Sequence, residues 1–160
     1  MQFAKDSFYI LLRDRLAVVN PQRTIEVAGE TRPAVIVAEN ECAGNTARLT
    51  GTYLLEWHQG ERAELGGPWS MQCGITFRTA GTAALDGLDR GRALAELQAE
   101  LVSILEPAYT EKRDYRGATP KDLGTRIFWS TPLFGEIAAT GAVLSCGATT
   151  RVYFFPEVAQ

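Results

Sequence analysis

Two stretches of the chain repeat their apolar residues at the three- and four-residue spacing of an amphipathic helix. The first covers residues 6–19, and Asn20 and Pro21 end it because the residue before a proline avoids the helical conformation. The second begins between residues 86 and 89 and runs to Glu106, where Pro107 ends it. The apolar stripes consist of Phe8, Leu11, Leu12, Leu16 and Val19 in the first helix and of Leu94, Leu97, Leu101, Ile104 and Leu105 in the second.

Alternating apolar and polar residues predict strands in most of the remaining chain. Residues 70–78 alternate most clearly and place Met71, Cys73, Ile75 and Phe77 on one side. Further strands are predicted over residues 24–28 and 32–38 as a hairpin, over 50–57, over 125–131 and over 139–155. Residues 62–69, which contain two glycines and a proline, are either an irregular return strand or an exposed loop. The polar stretch 108–121 is predicted to be a loop.

The order of these elements predicts one α+β domain over residues 1–160. We expect a single mixed or antiparallel sheet with two helices packed on one face, in the order α-β(4–5)-α-β-β. Most of the predicted strands follow one another without an intervening helix, which argues against a Rossmann-type parallel sheet. A chain of 160 residues is long enough to bury a core without disulfides or a metal.

Composition and charge narrow the classes of partner. The net charge is −3 and no run of lysine or arginine occurs, so we expect no sequence-specific nucleic-acid binding. No stretch approaches the ~20 apolar residues of a membrane helix, and the first residues lack the apolar core of a signal peptide. These features predict no membrane partner and a protein that is kept in the cytoplasm or released on lysis.

Residues with catalytic or ligand-binding chemistry are scattered. Cys42, Cys73 and Cys146 form no CxxC or Cys/His cluster, which predicts reduced cysteines and no metal site. The only histidine, His58, lies in a predicted turn. It could act as a general base with Cys42 as the nucleophile, but no sequence motif around either residue supports such a pair. The glycines of residues 87–92 do not match a phosphate-binding pattern. The remaining candidates are carboxylate pairs typical of solvated surfaces, namely Glu39 with Glu41 and Glu96 with Glu100. We therefore predict no catalytic, cofactor-binding or metal-binding residues and no enzymatic activity.

Two tryptophans suggest a contact surface instead. Trp57 and Trp69 flank a polar, glycine-rich stretch that also carries Glu61 and Arg62. Tryptophans in such positions either pack at the edge of the core or anchor a contact with another protein. These four residues are our candidates for subunit contacts.

The order of elements resembles tail-terminator and minor tail proteins of long-tailed bacteriophages, including the lambda-type terminator. The resemblance covers most of the chain and depends on element order rather than on a chemical motif. The elements that carry it are the opening helix 6–19, the strands 32–38 and 71–78, the leucine-rich helix, the strand 124–130 and the closing strand 144–155.

This resemblance implies a subunit that forms a ring, usually a hexamer, which caps the tail tube and joins it to the head. The implied partners are other copies of the chain, the tail tube protein and the head–tail connector protein. The implied location is the virion, assembled in the cytoplasm of the bacterial host. Subunit contacts would then lie in the loops 39–48, 58–69 and 78–86.

Two other functions stay open at the level of the sequence. One is a small-molecule-binding module of a bacterial cytoplasmic protein, with a pocket between sheet and helices. The other is an enzyme whose site is assembled from dispersed residues.

Overall fold

The structure, a computed structural model, describes residues 1–41, 49–62 and 64–157. Cys42 and most of the predicted contact loop 39–48 lie outside these residues. The first helix, α1, spans Gln2–Val19 and so begins before residue 6, while its end agrees with the position of Pro21. Its buried side has the predicted spacing, with Phe8, Leu12 and Leu16 wholly inaccessible to solvent.

Strands outnumber helices in the described part of the chain. Between α1 and the last long helix come β1 (Thr24–Val27), β2 (Glu30–Pro33), β3 (Val35–Val37), the short helix α2 (Ala38–Glu41), β4 (Tyr53–Trp57), β5 (Glu61–Arg62) and β6 (Trp69–Thr79). A 3-10 turn at Ala83–Leu85 then leads into the helix α3 (Arg90–Ile104). After it come β7 (Tyr109–Asp114), β8 (Lys121–Trp129), β9 (Leu133–Phe134), β10 (Ala138–Thr140) and β11 (Val143–Phe154).

The main sheet is a curled sheet of nine described strands whose path is β3-β4-β6-β11-β8-β7. The short strands β5, β9 and β10 add to it, β5 on β6 and the other two on β11. Among the described strands of this sheet only β3 and β4 run parallel, and the other pairs are antiparallel. The centre is the long pair β6–β11, in register from Trp69 opposite Phe154 to Thr79 opposite Leu144.

The core lies between one face of this sheet and the two long helices. Alternate residues of β6 and β11 point inward, and α3 adds Leu94, Leu97, Leu101 and Ile104 to the same cluster. Phe8 of α1 contacts Trp57 and Trp129 edge to face, with ring centroids 5.7 and 5.5 Å apart. The alternation predicted for residues 70–78 therefore has a physical cause, since one side of β6 faces the helices.

The predicted fold class is wrong. The described part of the chain is mostly sheet, with 41% of its residues in strands and 27% in helices, and its nine-stranded sheet is accompanied by three helices. The order α-β(4–5)-α-β-β fails because five strands, not two, follow α3. A separate two-stranded sheet of β1 and β2 also lies outside the main sheet.

Two local features explain the error. β7 lies within the stretch 108–121, which was predicted to be a loop. Its polar side chains gave no strand pattern, but they do not prevent backbone pairing with β8. The predicted strand 32–38 is divided between two sheets: β2 ends at Pro33, which has no N–H to donate, and β3 joins the main sheet.

Candidate interaction surfaces

An exposed hairpin, here called the arm (residues 135–145), contains a strand whose residues are all exposed. β10 pairs with β11 through Ala138 opposite Ser145 and Thr140 opposite Val143, with Gly141 in a left-handed conformation at the turn. Every residue from 135 to 142 is exposed, including Ile137 at 61%. Among the described strands β10 pairs only with β11, so its outer edge carries unpaired backbone groups.

A rigid loop, here called the leucine loop (residues 80–89), follows β6 at the same end of the sheet. The Asp89 carboxylate accepts hydrogen bonds from the Thr82 backbone N–H at 2.8 Å and the Thr82 hydroxyl at 3.0 Å. The first of these bonds lowers the pKa of Asp89 below its ordinary value. Gly81, with φ of 75°, lies so close to Gly87 and Asp89 that an added Cβ would lie 2.6 Å from the Asp89 carboxylate.

This loop presents apolar side chains to solvent. Leu88 is 90% exposed and Leu85 is 51% exposed. Asp86, between them, adopts a left-handed conformation that costs a non-glycine residue conformational energy. The two leucines lie outside the core cluster of the described residues.

The segment that the sequence singled out (residues 57–69, the tryptophan segment) lies at the opposite end of β6. Arg62 pairs with Trp69, and Glu61 forms an ion pair with Arg151 of β11. Glu61 and Arg62 are exposed, whereas Trp57 and Trp69 are half-buried and pack against the core. The structure therefore brings Glu61, Arg62 and Trp69 together and places Trp57 on the neighbouring strand.

A cleft of about 480 Å³ borders the tryptophan segment. Lys5 forms an ion pair with Glu39 at 2.8 Å and lies 5.8 Å from the centre of the Trp57 ring. The Trp57 indole N–H is buried without a hydrogen-bond partner in the described part of the chain. His58 also lines the cleft, but the nucleophile weighed with it, Cys42, lies outside the described residues. A small-molecule-binding module would use this cleft.

Sequence reasoning missed a polar cluster around Glu100, which was interpreted as a solvated surface carboxylate. Its side chain is only 9% exposed and forms an ion pair with Arg23. The Tyr53 hydroxyl lies 2.8 Å from the carboxylate, and Asn20 donates a hydrogen bond to it at 2.8 Å. Burial, and then the bond with Glu100, raises the pKa of Tyr53. No local pattern marks this cluster, because its members are far apart in sequence.

Replacing Trp69 with alanine distinguishes a role in contacts with another chain from a role in packing against the core. If Trp69 anchors a contact with another chain, this change should weaken that contact by about 2 kcal/mol. Its effect on the free energy of unfolding should be smaller than that of a fully buried aromatic residue, because Trp69 is half-buried. Light scattering beside thermal melting measures both effects. Normal assembly with a much lower melting temperature would assign Trp69 to the core alone.

Within residues 1–41, 49–62 and 64–157, no three histidine, cysteine or acidic side chains are grouped so as to hold a metal ion. Of the described helices, none combines the length and the apolar character needed to cross a membrane. No family model matches the sequence, and no curated protein matches it either.

Proposed function

We propose that this chain is a structural subunit of a phage tail that assembles with copies of itself into a ring. The ring, a hexamer in the family that the sequence resembles, caps the tail tube and presents a surface to the head–tail connector. The tail tube protein and the connector protein are then its other partners, and the virion, built in the bacterial cytoplasm, is its location.

The exposed arm is the observation that supports this proposal most. A hairpin with an unpaired edge and no core of its own is poorly stable in isolation and invites pairing with other chains. Of residues 131–145 only Glu136 is charged, although charged residues make up 22% of the whole chain. Depletion of charge together with exposed apolar side chains is typical of the centre of a protein interface. A neighbouring subunit that covers the arm would account for both features.

The hydrogen bonds and ion pairs of the buried polar groups favour a role in assembly over a catalytic role. The conspicuous buried polar groups, around Glu100 and around Lys112 of β7, form ion pairs and hydrogen bonds within the chain. Such groups hold elements together, whereas a catalytic site needs groups that are positioned to meet a substrate. The apolar exposure of the arm and the leucine loop serves a surface that contacts protein.

Ile137→Asp tests the role of the arm. Ile137 is 61% exposed, so the charge should leave the fold intact while it opposes burial of the arm between copies. We expect the concentration needed for assembly to rise at least tenfold, which corresponds to about 1.4 kcal/mol. Light scattering measures assembly. Capping is measured by mixing the chain with the major tail tube protein from the same genome and recording whether tube growth stops.

Val18→Asp is the matched control, because Val18 is 81% exposed and belongs to α1 rather than to the arm. This variant should assemble and cap as the wild type does. If Ile137→Asp also assembles normally, the arm is not the contact. A wild-type chain that stays monomeric and does not stop tube growth would instead favour a small-molecule-binding module using the cleft beside Trp57.

A further inference from the structure

The cleft that borders the tryptophan segment has the size of a small-molecule site. Its volume of about 480 Å³ lies within the range of ligand pockets in proteins, roughly 300–1,000 Å³. The start of α1, the short helix α2, the end of β4 with the turn after it, and β6 contribute its described lining. Side chains from four separate elements therefore converge on one cavity.

One wall of the cleft is apolar and closely packed. Met71 of β6 is buried, and the Trp57 ring packs against Phe8 of the core with ring centroids 5.7 Å apart. Gly60 lies so close to this wall that an added Cβ would be 2.9 Å from the Met1 sulfur and 3.1 Å from Met71 Cγ. An apolar group that enters the cleft therefore meets a ring and a thioether that the core already holds in place, which lowers the entropic cost of binding.

Two side chains of opposite charge lie beside this wall. The Lys5 ammonium is 2.8 Å from the Glu39 carboxylate and 5.8 Å from the centre of the Trp57 ring. With His58 neutral, Lys5 and Glu39 are the charged side chains of the described lining, and their charges cancel. The two side chains are 19% and 41% exposed, so their ion pair contributes at most about 1 kcal/mol and is readily exchanged for other partners.

A zwitterion matches this lining better than an ion of one sign does. Its carboxylate binds Lys5 and its ammonium binds Glu39, so one ion pair is exchanged for two and no charge is left unpaired. A simple anion would be repelled by Glu39, and a simple cation would be repelled by Lys5. The exposed amides of Gln2 and Gln59 also line the cleft and offer both donors and acceptors to either ionic group.

From these observations we infer that the cleft binds a free α-amino acid with an aromatic or long aliphatic side chain. The ammonium and the carboxylate share one carbon in such a molecule, as suits two protein charges that lie 2.8 Å apart. The side chain of the ligand packs on Trp57 and Met71. This site goes beyond the proposed ring and does not depend on it, since a single chain contains all of the residues involved.

Calorimetric titration of the whole chain tests the inference. L-Phenylalanine, L-leucine and L-methionine should bind with half-saturation below about 10 mM. Phenethylamine lacks the carboxylate and 3-phenylpropionate lacks the ammonium, so each should bind at least tenfold more weakly than L-phenylalanine. Equal binding of either analogue would overturn the zwitterionic ligand, and no binding of any of the three amino acids would overturn the site.

Two variants that each remove one charge locate the site. Lys5→Met and Glu39→Gln should each weaken the binding of L-phenylalanine at least tenfold, because one ionic group of the ligand loses its partner. Lys121→Met and Glu136→Gln are the matched controls, since they remove exposed charges of β8 and of the arm, and binding should change by less than about twofold. Thermal melting shows whether each variant is folded.

The inference is overturned if the folded Lys5→Met and Glu39→Gln variants bind L-phenylalanine as the wild type does. Glu39→Gln decides the matter if Lys5→Met alters the fold, because the Glu39 side chain is the more exposed of the two. Failure of this binding leaves the ring subunit standing, whereas a chain that binds the amino acid and never assembles removes the ring and keeps the site.

Discussion

Replacing Leu101 with alanine is expected to lower the free energy of unfolding by about 2–5 kcal/mol. Leu101 is wholly buried on the inner side of α3, where it belongs to the cluster that joins both long helices to the sheet. Truncation removes buried apolar surface and leaves a cavity between elements that cannot close freely around it. Urea or guanidinium unfolding, with unchanged dependence on denaturant, measures the loss.

Val102→Ala is the matched control, since Val102 is the next residue and is 49% exposed. Its loss should stay within about 0.5 kcal/mol, as for surface substitutions in general. A loss below about 1 kcal/mol for Leu101→Ala would show that α3 does not pack against the sheet as described.

Replacing Glu157 with glutamine is expected to be the second large change, lowering the free energy of unfolding by about 2–3 kcal/mol at pH 7. Lys112 is wholly inaccessible to solvent, and its ammonium lies 2.7 Å from the Glu157 carboxylate and donates to the Phe155 carbonyl. The substitution leaves a buried cation without its counter-charge. The expected loss is set below that of a fully buried pair because the Glu157 side chain is 31% exposed.

The double variant Lys112→Met with Glu157→Gln is the control for this pair. It removes both charges and keeps an apolar chain of similar length, so most of the lost stability should return. If the double variant is no more stable than Glu157→Gln alone, the loss does not come from an uncompensated Lys112.

The same pair predicts a dependence on pH. Burial raises the pKa of Glu157, but hydrogen bonds with Lys112 and the backbone and the nearby positive charges outweigh it, so the net pKa lies below its ordinary 4.5. A lowered pKa in the folded state means that the contribution is complete above about pH 4.5 and is lost as the pH falls through the folded value. The stability difference between wild type and Glu157→Gln should therefore shrink on acidification below pH 4.5.

Elements with one buried side were the ones that could be predicted from the sequence. The spacing of Phe8, Leu12 and Leu16 gave α1, and the alternation from Met71 to Phe77 gave most of β6, because each pattern records a single face against the core. A second kind of pattern was informative in β3, which is buried on both sides and has an unbroken apolar sequence.

Features that depend on distant partners could not be predicted in the same way. β7 is polar and is defined by backbone pairing with β8, while Lys112 within it is buried only because Phe155 and Glu157 fold over it. The arm consists mainly of small and apolar residues, and such a composition occurs in buried and in exposed segments alike. The exposure of the arm therefore follows from the fold and not from the sequence pattern. The strand count and the fold class were wrong for these reasons.

The mass of the wild-type chain in solution tests the central claim most directly. Light scattering over rising concentration should show association that ends at one closed species with the mass of about six chains, the ring size of the family that the sequence resembles. Addition of the tail tube protein should stabilise that species. A chain that keeps the mass of a single copy at every concentration, with and without the tube protein, would contradict the proposal that it is a ring-forming tail subunit.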